Sequence, residues 1–193
     1  MSATTGTNYN TWRIIMPRIA LTGGPGAGKT TLLVKLASMG YATVEESARA
    51  IIAERLACGL SRRPSPAEFA HQILTRDIEK YVAQPQTSEW VFWDRGLIDA
   101  LGMLQEVAPM PRAELKAILT RYPFHRLAFI LPPWEAIYAN DAERDQTYTE
   151  AVGVHEKTLK WYRFCGYDVL EVPRLPVTQR ARHVLEVLAA SGA

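Results

Sequence analysis

Five short apolar runs, rich in β-branched and aromatic residues, recur along the chain: RIALTG at 18–23, ATVEE at 42–46, WVFWD at 90–94, RLAFIL at 126–131 and DVLEV at 168–172. Short, nearly continuous apolar runs read as strands buried on both faces, the habit of a parallel sheet. Helical patterns separate them. GKTTLLVKLASMG ends at Gly40, suited to a left-handed cap, and AEFAHQILTRDIEKYVA spaces Phe69, Ile73, Ile78 and Val82 at near-helical intervals behind Pro66. LIDALGMLQEV, RAELKAILTRY and TYTEAVGVHEKTLKWYRFCG supply three more, while VPRLPVTQR, after the fifth run, reads as a loop. Alternation of this kind predicts an α/β doubly wound sheet with right-handed crossovers and ligands at the carboxyl ends of the strands.

Composition narrows this without redirecting it. A length of 193 residues, 48% of them hydrophobic, suits one α/β domain, expected over 16–193 behind a polar, flexible tail at 1–15 that lacks the form of a secretory signal. No apolar run approaches the ~20 residues needed to span a bilayer. With 22 basic against 20 acidic residues, the balance gives no electrostatic case for a nucleic-acid partner. Cys58 and Cys165 stand far apart, and His71, His125, His155 and His183 show no ligand spacing, which argues against a disulfide framework and a zinc site. The expectation is a cytoplasmic protein, monomer or homodimer.

The junction of the first run and the first helix carries the chemistry. Gly23, Gly28, Lys29 and Thr30 satisfy G-x-x-x-x-G-K-[ST], with the strand before and the helix after that this motif requires. In the loop Gly23-Gly24-Pro25-Gly26-Ala27-Gly28, the residues Gly24, Gly26 and Gly28 are free to take positive φ. Backbone N–H groups then turn inward as an anion nest at a helix N-terminus. Lys29 is expected to reach the β- and γ-phosphates of a nucleotide, the Thr30 hydroxyl to sit on Mg²⁺, and Thr31 to donate to the α-phosphate.

Three further segments belong at the same sheet edge. In WVFWDRG, Asp94 ends a strand where a Mg²⁺-ordering carboxylate belongs, and Arg95 has the fork to grip a phosphate or an acceptor carboxylate. The plainer alternative is a surface Asp-Arg pair capping the next helix, with Asp99 as a first-turn acid. In VEESAR, alternation points Glu45 and Glu46 to opposite faces; Glu46 is the one assigned to the cleft, to receive or align an acceptor hydroxyl, with Arg49 one helical turn on. An exposed acidic helix start with Arg49 as its partner explains the same residues. In YANDAERDQT, 138–147, Arg144 is a candidate lid arginine, or one charge on a solvated helix face. Arg121 and Arg126 border the fourth strand, Arg174 and Pro176 are candidate base contacts, and Trp90, Trp93, Trp134 and Trp161 are pocket or packing aromatics.

With these motifs placed, the chain resembles the small P-loop ATPase family, labelled an AAA-type domain, related to the kinase domain of the nicotinamide riboside kinase and NAD-regulator protein. The resemblance runs from about Ile19 to Leu188. It rests on GGPGAGKTT at Gly23–Thr31, E-x-x-R at Glu46 and Arg49, DRG-x-x-D from Asp94 to Asp99, PPW…Y…DAER from Pro132 to Arg144, and GYDVLEVPR. It implies a P-loop NTPase fold with a five-stranded parallel sheet in the order 2-3-1-4-5 and a short helical lid. No Asn-Lys-x-Asp base-reading motif is present, and the roughly twenty residues after the fifth strand leave no room for the C-terminal subdomain of a ring-forming motor.

The expected activity is Mg²⁺-ATP-dependent phosphoryl transfer, with GTP left open, to a small polar acceptor such as a nucleoside. Lys29, Asp94, Glu46, Arg95 and Arg144 are the catalytic candidates, with Glu46 or Asp94 as base. Glu46, Arg49, Arg95 and Asp99 would hold the acceptor. The alternative is a nucleotide-dependent switch that reports its state to a protein or lipid partner.

Overall fold

The computed structural model describes residues 18–85, 87, 89–138 and 147–191. Strands β1 (Arg18–Gly23), β2 (Ala42–Val44), β3 (Val91–Asp94), β4 (Leu127–Leu131) and β5 (Asp168–Glu171) form one parallel sheet in the order β2-β3-β1-β4-β5, the order the resemblance implies. Among the described residues, seven α-helices connect and cover it: α1 (Lys29–Ser38), α2 (Ser47–Ala57), α3 (Pro66–Ala83), α4 (Leu97–Val107), α5 (Arg112–Arg121), α6 (Tyr148–Phe164) and α7 (Val177–Ala190). The period-2 alternation of the central strands divides the core. Ile19, Leu21 and Phe92 face α1 and α7, whereas Ala20 and Trp93 face a larger layer with Leu97, Leu101 and Tyr162. No described helix is long and apolar enough to cross a membrane.

The structure corrects the sequence pattern in four places. The outer strands are not buried throughout, because an edge strand has a neighbour on one side only: β5 is largely exposed, and in β2 only Val44 is buried. β2 stops at Val44, two residues short of the apolar-acidic run. On α3 the buried face runs through Phe69, Ile73 and Asp77, whereas Val82 is 69% exposed. Finally, VPRLPVTQR is not all loop: Pro176, at φ −50°, leads directly into α7, so Arg180 is helical.

Candidate active site

Two of the loop glycines adopt left-handed backbone as expected, Gly26 at φ 72° and Gly28 at φ 82°. Gly24 serves a different need: a Cβ there would run into the carbonyl oxygen of Ala151 on α6, so this position requires space rather than positive φ. Lys29 is 4% exposed, and its Nζ donates to the carbonyls of Gly23 (3.1 Å) and Gly24 (2.8 Å). The Thr30 hydroxyl donates to Asp94 Oδ2 at 2.9 Å, while Thr31 is exposed on the next position of α1. Asp94 is buried, and its Oδ1 has no partner among the described residues. Burial raises its pKa and the Glu46 charge adds to this, against the pull of Lys29, Arg95 and the Thr30 hydroxyl. A hydroxyl beside a carboxylate with one orphaned oxygen is a donor set that fits a hard cation such as Mg²⁺.

Across the sheet edge, Arg95 ties two acids, Glu46 and Asp99, into one cluster beside Asp94. Its φ of 66° is left-handed, a conformation that costs a long side chain about 1–2 kcal/mol and persists where neighbours enforce it. Here the N–H donates to Leu21 O (2.9 Å), Nε to Glu46 Oε1 (2.8 Å) and Nη1 to Asp99 Oδ1 (3.2 Å). Burial pulls the guanidinium's pKa down, but the Glu46, Asp99 and Asp94 charges together outweigh it and hold the group protonated above its ordinary range.

Glu46 reaches this cluster by another route than strand alternation. It lies beyond β2, at the N-cap of α2, which turns its side chain toward β3. Arg49 Nε lies 3.5 Å from Glu46 Oε2, so the one-turn pairing and the approach to the cleft coexist. Burial pushes the Glu46 carboxyl up, but Arg95, Lys29 and Arg49 together bring it below the usual value, so it is ionised at neutral pH.

Asp99 is fully engaged. Thr22 Oγ1 donates to its Oδ1 (2.6 Å), and Tyr162 Oη (2.6 Å) and the Gly96 N–H (3.2 Å) donate to its Oδ2. Thr22 and Tyr162 belong to no motif. The one signal for Thr22 is a hydroxyl inside the apolar centre of β1, Ile19 to Leu21.

A cavity of about 1010 Å³ opens beside both halves of the site, lined by Lys29 and Asp94 on one side and by Glu46, Arg49, Arg95 and Asp99 on the other. Its remaining wall is largely apolar, including Phe69, Ile73, Met103, Trp161 and Phe164. Volume and lining are those of a small-molecule site. Asp77 also reaches this wall; the Ser47 hydroxyl donates to its Oδ1 at 2.5 Å. Burial raises the Asp77 pKa to about 6, with Asp99 and Glu46 adding to the effect and Ser47 and Lys80 opposing it.

Other candidates lie apart from this cavity. Trp93 is core, Arg126 pairs with Asp168 at the surface, and Arg174 is exposed with its Nε on Pro133 O (3.0 Å). Arg144 falls outside the described residues.

Residues 18–180 match the sequence model of a family described as AAA domain. No curated protein matches the chain. Among solved structures, the chain is similar to deoxyadenosine kinase from M. mycoides with bound dATP, at 12% identity over 89% of this chain and 99% of that one, with a TM-score of 0.57. Thymidylate kinase from Ehrlichia chaffeensis gives 13% identity, 89% and 97% coverage and a TM-score of 0.59. The NadR protein in complex with NR gives 18% identity and a TM-score of 0.64 over 90% of this chain, which spans 51% of that one. At these identities the likeness shows the fold, that of a P-loop kinase-like protein.

Proposed function

The chain belongs to the AAA domain family, and from that premise we propose that it is a phosphotransferase, moving the γ-phosphoryl group of Mg²⁺-ATP to a hydroxyl of a small acceptor held in the cavity. One observation carries the reading: the phosphate loop lysine and the Glu46–Arg95 pair line the same cavity. A protein that only hydrolyses or senses a nucleotide has no need of a half-apolar chamber of about 1010 Å³ at the γ-phosphate end of its loop. The acceptor oxygen attacks phosphorus as the bond to the β–γ bridging oxygen breaks, ADP leaves, and the hydroxyl proton passes to a carboxylate.

Glu46 suits that last task better than Asp94. It is ionised and open to the cavity, whereas Asp94 is tied to Thr30. In this reading Thr30 and Asp94 hold the magnesium ion, which supplies charge neutralisation at the phosphates. Lys29 and the loop amides align the phosphate chain; Arg95 and Arg49 hold Glu46 in its charged state and face the transferring group. Asp99, with both oxygens occupied, positions Arg95 rather than touching the acceptor. Incubation with Mg²⁺-ATP and pooled nucleosides, sugars and vitamins, read by mass spectrometry, tests the proposal. A phosphorylated product is expected from the unsubstituted protein and not from Lys29→Ala. Nucleotide binding with no acceptor-dependent product would refute it in favour of a switch.

A further inference from the structure

The residue proposed as base stands on a stretch of chain with little local support. β2 pairs with β3 only as far as Val44, and α2 begins at Ser47 with Glu46 as its N-cap. That N-cap makes no side-chain hydrogen bond to its own helix; the Glu46 carboxylate is turned to Arg95 and Arg49 instead. A strand ladder or a cap ordinarily fixes such a junction, and here neither reaches it. What does reach it comes from α3. Lys80 Nζ donates to the carbonyl of Glu45 at 2.6 Å, and the Ser47 hydroxyl donates to Asp77 Oδ1 at 2.5 Å. The two bonds bracket Glu46, one on the residue before it and one on the residue after. Ser47 and Asp77 are 2% and 5% exposed, so water offers little substitute for the second bond, and a hydroxyl on a carboxylate is among the stronger hydrogen bonds. Two turns along α2, Arg76 forks onto Glu54 at 2.7 and 2.8 Å. Arg76, Asp77 and Lys80 are neighbours on one face of α3.

Resting on the role proposed for Glu46, we infer that Asp77 and Lys80 are positioning residues for the base: α3 grips the Glu45–Ser47 turn on both sides of Glu46 and so holds its carboxylate on Arg95 at the cavity wall. The same helix lines the cavity with Phe69 and Ile73, in helical register with Asp77. An acceptor packed on Phe69 and Ile73 therefore bears on the element that sets the base, and a displacement of α3 reaches Glu46 through two hydrogen bonds. Geometry at a reacting hydroxyl is demanding: a misplacement of about 1 Å costs on the order of 100-fold in rate. Asp77 itself lines the cavity, so direct contact with the acceptor is the competing role, and kinetics separate the two.

Ser47→Ala cuts the buried bond without removing a charge, and Asp77→Asn keeps an acceptor oxygen for the Ser47 hydroxyl. The values of kcat and of the acceptor KM are measured with Mg²⁺-ATP and the nucleoside, sugar or vitamin that the unsubstituted protein phosphorylates, beside a melting curve for each variant. Ser47→Ala is expected to lower kcat about tenfold or more with KM within about twofold, and Asp77→Asn to stay within about threefold of the parent in both. Added to Glu46→Gln, Ser47→Ala should cost less than about twofold further, because the group it positions is already gone. A raised KM with kcat kept would make Ser47 and Asp77 acceptor contacts. A full loss repeated in the Glu46→Gln background would make the bond a support of the fold at large, an equal loss in Asp77→Asn would trace the effect to charge, and an unchanged kcat would make the pair packing; each of these four results overturns the inference. If Ser47→Ala does not fold, Lys80→Met takes its place, with an expected kcat loss of about threefold or more that vanishes in the Glu46→Gln background. Absence of that loss, or its persistence in that background, overturns the inference. An unsubstituted protein that yields no phosphorylated product overturns the phosphotransferase reading itself, and this inference with it.

Discussion

Replacing Asp99 by asparagine tests whether the centre of the site is a closed network. The side chain accepts four hydrogen bonds, two on each oxygen, and asparagine keeps its shape while converting one oxygen to an NH₂ group. The Thr22 and Tyr162 hydroxyls can rotate to accept from that group. The remaining donors cannot: Arg95 Nη1 faces one oxygen and the Gly96 N–H the other, so either amide orientation sets a donor against a donor. A buried donor left unsatisfied costs about 1–3 kcal/mol, and hydrogen bonds to a charged partner are worth about 1.5–3 kcal/mol. Arg95 keeps Glu46, which limits the total to about 2–4 kcal/mol. For a chain of this size that corresponds to a fall in Tm of roughly 5–15 °C. Urea denaturation and thermal melting by circular dichroism measure it, with Asp168→Asn at the exposed Arg126 pair as a control expected to lose less than about 0.5 kcal/mol. A loss at Asp99 no larger than the control's would refute the network and return Asp99 to the set of free acceptor contacts.

Three other outcomes follow from the same geometry. Lys29→Ala should fold normally and lose phosphoryl transfer by at least ~100-fold, checked by product formation beside a melting curve, because the cation serves charge that develops during reaction. Gly24→Ala should lower stability by about 1–3 kcal/mol, since its methyl group meets the Ala151 carbonyl; a melting temperature equal to that of the parent would show that α6 yields. Asp77, with a folded pKa of about 6 against an ordinary carboxylate value near 3.9, binds more protons folded than unfolded between those limits. The parent protein therefore loses stability from this group as pH rises from 4 through 6. Asp77→Asn lacks that dependence and should gain on the parent by on the order of 2 kcal/mol between pH 4 and pH 7. Equal differences at both pH values in urea denaturation would contradict the burial argument.

The legible parts of this molecule are those whose cause is local. A glycine-rich turn, a strand before it and a helix after it are contiguous, so Gly23 to Thr31 can be read as a unit. Asp94 inherits its place from ending a central strand. Glu46 lines the cavity from the N-cap of α2 and not by strand alternation, because an edge strand can end early and hand its last residues to a helix cap. Thr22, Tyr162 and Arg180 depend on which elements the sheet order brings together, and no spacing along the chain states that.

Thr22, Arg180 and Asp77 nevertheless share a signature. Asp77 stands in register with Phe69 and Ile73, Arg180 with Val184 and Leu188, and Thr22 with Ala20, each a polar group at the position where its element's period calls for an apolar one. Helical or strand periodicity predicts burial, and a polar group predicted buried requires a partner. Thr22 and Tyr162 find theirs in Asp99, and Asp77 in Ser47. Arg180 finds no carboxylate or carbonyl among the described residues, and its guanidinium rests instead against the Trp134 ring and the phosphate loop at Gly28.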